Sequence, residues 1–112
     1  IMNFLDNAIF YSGDSKAITV RLYTSEGAAI FEVVDHGIGV PVSAQKRLFT
    51  KFFRAENAQL QRPDGTGVGL YLAKQVTVGH GGKIIFQSTE GKGSTFGFRL
   101  PIKKLSTPPK VL

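Results

Sequence analysis

Apolar and polar positions change period along the chain, and each change marks an element. Over residues 1–11, Ile1, Leu5, Ala8 and Ile9 form one stripe at helical spacing. Asn3, Asn7 and Tyr11 fall four apart on another stripe. No N-cap precedes Ile1, so the pattern predicts a helix already under way, in a chain truncated at its N-terminus. Ser12-Gly13-Asp14-Ser15 ends it. From 17 to 24 the period becomes two, with Ile18, Val20 and Leu22 on one side and Thr19, Arg21 and Tyr23 on the other. Residues 29–35 follow a Glu26-Gly27 turn, so the two strands are predicted to form a hairpin. Two glycines and a proline make 36–42 a loop. Ser43 is placed to cap a short helix through Phe53, with Leu48, Phe49, Phe52 and Phe53 as its apolar face.

The polar stretch 54–67 reads as a mobile lid, because so long a loop in a small domain is functional or disordered. Residues 68–78 are mostly apolar and predict a largely buried helix, stopped by Gly79 and Gly81-Gly82. Strands 83–89 and 95–101 flank the turn Glu90-Gly91-Lys92-Gly93, with Phe96, Phe98 and Leu100 alternating toward the core. One domain is expected over 1–102, and 103–112 as a flexible tail. Hairpins flanked by helices predict an α+β fold. Its expected form is a two-layer α/β sandwich, with a mixed, mostly antiparallel sheet packed on helices.

Composition narrows the function without naming it. The chain has 112 residues, enough for one compact domain, and 42% hydrophobic residues, which argues against disorder. With no cysteine, disulfides and thiolate metal sites are excluded. No apolar run is long enough to span a bilayer, and no signal peptide is visible. A net charge of +6 fits either a surface for acidic partners or a scattered solvated surface. Dispersal of the basic residues favours the second, and no nucleic-acid recognition element is present.

Candidate chemistry centres on Gly65-Thr66-Gly67-Val68-Gly69-Leu70. Alternate glycines remove the Cβ atoms that would hold a ligand away from the backbone. Amides at the following helix N-terminus suit a polyphosphate. The P-loop Gly-Lys-Ser/Thr is missing, and so is the strand-Gly-x-Gly-x-x-Gly dinucleotide pattern. Asn3 and Asn7 offer hard amide oxygens for Mg²⁺ and amide nitrogens for phosphates, or are simply solvated. Asp35, ahead of Gly37 and Gly39, suits an exocyclic amino group, or merely closes a strand. Tyr11 fits a purine face or core packing, and Arg54 fits phosphates or solvent. His36 and His80 adjoin glycines in turns and do not amount to a metal site.

Taken together, these stretches resemble the ATP-binding catalytic domain of sensor histidine kinases, in the GHKL ATPase superfamily shared with gyrase, Hsp90 and MutL. Asn3-Phe-Leu-Asp-Asn7-Ala8 resembles the N box and Asp35-His-Gly37-Ile-Gly39-Val the G1 box. Leu48-Phe49-Thr-Lys-Phe52-Phe53-Arg54 resembles the F box, and Gly65-Thr-Gly67-Val-Gly69-Leu70 the G2 box. His80-Gly81-Gly82 and Gly93-Ser94-Thr95-Phe96 are similar to the approaches to the family's last two strands. The likeness runs from Ile1 to Pro101 and implies the Bergerat ATP-binding fold.

The resemblance implies ATP and Mg²⁺, with Asn7 holding the ion and phosphates and Asn3 assisting. Asp35 would bind the adenine amino group, with Thr95 nearby through water and Tyr11 close to the base. Gly37 and Gly39 would line the base pocket. Gly65, Thr66, Gly67, Val68, Gly69 and Leu70 would hold the phosphates, and Arg54 would be a lid cation. The implied partners are a phosphoacceptor and dimerisation domain of the same full-length protein and a downstream response regulator. The isolated domain would be a cytoplasmic monomer, and the full-length protein a homodimer whose anchoring in the inner membrane stays open. Phe10 stands where the family often has Lys or Arg, which removes one phosphate contact. No histidine is followed by Glu or Asp, so the phosphoacceptor helix is not in this chain. Asn3 takes the place of the glutamate base of the hydrolysing relatives, and an asparagine cannot accept that proton. The alternatives on this fold are an anti-sigma-factor-type serine kinase and a nucleotide-binding module without phosphotransfer.

Overall fold

Period-two alternation gives each strand one face to bury, and cross-strand register decides which residues share it. A computed structural model of the protein describes residues 2–11, 17–61 and 69–102, without the side chains of Met2, Asn3, Asp6, Phe10, Leu60 and Gln61. The elements run α1 (Met2–Tyr11), β1 (Thr19–Ser25), β2 (Ala28–Asp35), α2 (Val42–Gln45), α3 (Glu56–Gln61), α4 (Gly69–Gly79), β3 (Lys83–Thr89) and β4 (Gly93–Pro101). The strands form one sheet in the order β1-β2-β4-β3, and every pairing among them is antiparallel. Glu26 and Gly27 both take positive φ, 48° and 75°, as a two-residue hairpin turn requires. The expected tail, 103–112, lies outside the described residues.

Register brings Phe31 and Val33 of β2 onto one face with Phe96 and Phe98 of β4 and Ile84 and Phe86 of β3. Phe4 of α1 lands on this face and is 1% exposed. Its ring stacks on Phe96 at 6.2 Å and lies 6.5 Å from Phe98. Phe49 meets Phe86 and Phe96 edge-on at 5.8 and 6.2 Å. The core is therefore an aromatic layer between helices and sheet, and such ring pairs add about 0.5–1.5 kcal/mol each beyond area burial.

Several expectations need correction. On α1 the buried stripe is Phe4 and Ala8 with half-buried Leu5 and Tyr11, whereas Ile9 is exposed. Two apolar stripes overlap on this helix, and packing against Phe96 selects the one carrying the larger ring. Strand β1 is exposed throughout, including Val20 and Leu22. Both share a face with Val33 and Phe31, but they stand on the edge strand, where no described helix covers them. The predicted 43–53 helix is only α2, which starts after Pro41 with no side-chain cap. Beyond it, amides of Arg47, Leu48, Thr50 and Phe53 bond three residues back, in successive turns rather than an α-helix. Phe52 sits at φ 66° and is exposed, so it is no part of the apolar face.

The lid stretch contains α3, anchored by buried Ala55, whose carbonyl accepts from Gln59 N at 3.0 Å. Its Glu-Asn-Ala-Gln-Leu-Gln run is made largely of good helix formers. On α4 only Ala73 and Thr77 are buried, while Leu72, Val76 and Val78 are exposed. An apolar composition is not a buried circumference: one stripe of α4 faces α1 and β3. Among the described residues no helix is long and apolar enough to cross a membrane.

Candidate functional site

The helix-facing side of the sheet ends in a polar row. Asp35 closes β2, and register places Ser94 of β4 beside it and Ser88 of β3 beside Ser94. Asp35 and Ser94 are buried, 6% and 7% exposed. Asp35 Oδ1 accepts from the Gly37 amide at 2.9 Å and from the Ser94 amide at 3.3 Å. Burial pushes the Asp35 carboxyl above the usual carboxylate range, and those two amides and His36 only partly offset it. Ser88 Oγ lies 2.7 Å from Ser94 Oγ, donates to Gly93 O at 3.0 Å and accepts from Val40 N at 2.8 Å. The carboxylate's orientation is thus fixed through Oδ1, which leaves its other oxygen able to accept.

The turn after Asp35 packs against the end of α1, since Ile38 N donates to Tyr11 O at 3.0 Å. Gly39 takes φ 68°, and a Cβ there would lie 2.2 Å from Thr89 O, so only glycine fits. One turn before Tyr11, Asn7 is half-buried, and its amide makes no hydrogen bond among the described residues. Tyr11 Oη accepts from Arg54 Nη2 at 2.7 Å, and the same nitrogen donates to Ala58 O at 3.0 Å. Arg54 therefore ties the foot of the lid to α1. Helix α1, the 36–40 turn and α3 therefore meet. Gly69 and Leu70 open α4.

Not every expected residue joins this cluster. Thr95 pairs with Val34 and Gln87, on the sheet face opposite Asp35. The β4 residue beside Asp35 on the helix-facing side is Ser94. The signal was present: Phe96 and Phe98 point to the core, so period two sends position 94 inward and 95 outward. A groove of about 190 Å³ at this end of the sheet is lined by Asp35, Ser88 and Ser94 as well as Val34, Gln87, Lys92 and Thr95, and includes none of Asn7, Tyr11 or Gly37. The groove thus takes in the polar row but not the groups of α1 and the 36–40 turn. Asn3 lies on α1 without a described side chain, and Gly65, Thr66, Gly67 and Val68 lie outside the described residues. His80 caps α4, its Nδ1 donating to Val76 O at 2.8 Å.

Residues 1–104 match the family described as histidine kinase-, DNA gyrase B-, and HSP90-like ATPase. The chain belongs to that family. Within the ATPase family it is similar to sensor histidine kinases. Over 108 residues it is 39% identical to the circadian input-output histidine kinase CikA of Synechococcus elongatus, covering 96% of this chain and 14% of that protein. It is 36% identical over 104 residues to the sensor histidine kinase WalK of Bacillus subtilis, covering 91% of this chain and 17% of that one. The chain thus spans about a sixth of the length of these relatives. The mycobacterial sensor histidine kinase MprB superposes with a TM-score of 0.79 at 31% identity, over 89% of this chain and 68% of that one. Full-length ShkA in complex with AMPPNP gives 0.75 at 27% identity, over 89% of this chain and 20% of that one. The ATPase domain described here is of the sensor histidine kinase, ATP-binding type, with the α+β sandwich that type implies.

Proposed function

We propose that this domain binds Mg·ATP against α1, Asp35 and the 36–40 turn, and presents the γ-phosphate to a histidine carried by a separate domain. The observation that carries the reading is Asp35. It is a buried strand-end carboxylate held by Gly37 N and Ser94 N, beside a turn where glycine alone fits. One oxygen is fixed by amides and the other is left to accept from an exocyclic amino group. Asn7 fits a magnesium ion by its chemistry, a hard neutral oxygen on a half-buried amide without a described partner. Bound there, the ion would neutralise charge on the phosphates.

The remaining roles follow from the chain's own groups. Arg54 is held by Tyr11 at the edge of the site, within reach of the lid. Gly69 and Leu70 carry amides at the start of α4, where phosphate oxygens are favoured. In the transfer, an imidazole nitrogen forms a bond to the γ-phosphorus. The bond from phosphorus to the β–γ bridging oxygen breaks, and ADP leaves with that electron pair. Catalysis of this kind is positioning and charge stabilisation. Asn3 supplies no base for water, so hydrolysis by the isolated domain is expected to be slow.

Labelled ATP, mixed with this domain and a separate phosphoacceptor domain of a sensor kinase, tests the reading. Phosphohistidine on the acceptor, lost with Asn7→Ala or Asp35→Ala while the variants stay folded, is the expected result. Label on serine, or rapid phosphate release without an acceptor, would refute it.

A further inference from the structure

Nearly every backbone polar group of residues 38–40 has a partner, as a buried turn requires. Ile38 N donates to Tyr11 O of α1 at 3.0 Å, and Ile38 O accepts from Gly91 N of the β3–β4 turn at 2.7 Å. Val40 N donates to Ser88 Oγ of β3 at 2.8 Å, and Val40 O accepts from Gln45 Nε2 of α2 at 3.0 Å. The carbonyl of Gly39 accepts from Asn57 Nδ2 at 3.0 Å. All these partners except Asn57 belong to elements outside the 54–67 stretch. Asn57 lies on α3, inside it.

Asn57 is tightly set. Its Oδ1 is buried and accepts from no described residue, so the Gly39 bond is the polar contact that orients the amide. Gly39 is closely backed by the β3–β4 turn, since even a Cβ added there would collide with the Thr89 carbonyl and Glu90 Cα. A shift of α3 must therefore either break this bond or drag the turn.

We propose that Asn57 is a positioning residue for the nucleobase wall, tying the 36–40 turn to the lid helix so that affinity for the base depends on a lid residue. The inference rests on the reading that Asp35, Gly37 and Gly39 form that wall. Coupling is reciprocal: a ligand that orders the turn must also order α3. Adenosine is the informative probe, because it carries the base and no phosphate for the lid to touch.

Adenosine and a non-hydrolysable ATP analogue are titrated into the domain and its Asn57→Ala and Asn57→Asp variants. Amide hydrogen exchange of α3 is followed in the wild type. Loss of a neutral hydrogen bond predicts that Asn57→Ala weakens both ligands by the same factor, about five-fold. Asn57→Asp keeps the shape but cannot donate to Gly39 O, and weakens both at least as much. Saturating adenosine slows exchange in α3. A variant that binds the analogue weakly but adenosine normally would show a phosphate contact and overturn the proposal. So would a lowered thermal midpoint with unchanged affinity, or α3 exchange indifferent to adenosine, a measurement that needs no variant to fold. Wild-type protein that binds neither ligand removes the nucleotide reading itself, and this one with it.

Discussion

Asp35 sets stability against function within one side chain. Its folded form holds a proton more tightly than the unfolded chain does, because burial outweighs the amides that stabilise the anion. That contribution to stability is fully present below the ordinary carboxylate range and is lost as pH rises through the raised value. At neutral pH the buried charge destabilises the domain. Asp35→Asn is expected to raise the thermal midpoint at neutral pH, with an advantage that shrinks on acidification, while nucleotide affinity falls. Melting curves across the acid range, paired with calorimetric titration of an ATP analogue, check both halves. Ser94 and Thr95 offer a second contrast. Ser94→Ala removes one of three partners of Ser88 Oγ and is expected to cost about 1 kcal/mol. Thr95→Val, on the opposite face, is expected to stay within about 0.5 kcal/mol and to leave nucleotide affinity unchanged. Urea unfolding of the two variants separates them.

At the scale of elements, the 36–40 turn links the layers, bonded to α1, α3 and β3. Gly39→Ala forces a side chain into a left-handed conformation and a Cβ against Thr89 O. Destabilisation by more than about 1 kcal/mol is expected, read as a lower urea midpoint. Element types were largely legible in the chain. The hairpins followed from period-two alternation around Glu26-Gly27 and the Glu90–Gly93 turn, and the α4 stop from Gly81-Gly82. Helix α3 was not, because Pro63 and Gly65 dominate the reading of a stretch whose first half is a helix former. The short extent of α2 was not either. Leu48 and Phe49 are adjacent and both turn toward the core, which a regular helix face does not require.

At the scale of the whole molecule, the joint between helices and sheet is Phe4. It is buried against two rings of β4, and a core phenylalanine truncated to alanine loses about 3–5 kcal/mol. Phe4→Ala is therefore expected to unfold much of the domain, and a collapsed urea midpoint with loss of near-ultraviolet signal would register it. Survival with a midpoint near that of the wild type would mean that the aromatic layer is not the core. The site depends on the same joint, since α1 carries Asn7 and Tyr11 to the turn that Asp35 begins. Its polar types were readable from spacing. Register places Ser94, not the expected Thr95, on the face of the sheet that Asp35 shares.

The chain by itself determined the strands, the hairpin turns and the helices α1 and α4, and which side chains have the chemistry for a nucleotide, because backbone geometry and local turn preferences act over a few residues. Only the tertiary structure decided which of two stripes on α1 is buried and that β1 is an uncovered edge. It alone joined Asn57 to Gly39 and Arg54 to Tyr11. Those outcomes depend on contacts between residues far apart in sequence, whose cross-layer register no local pattern encodes.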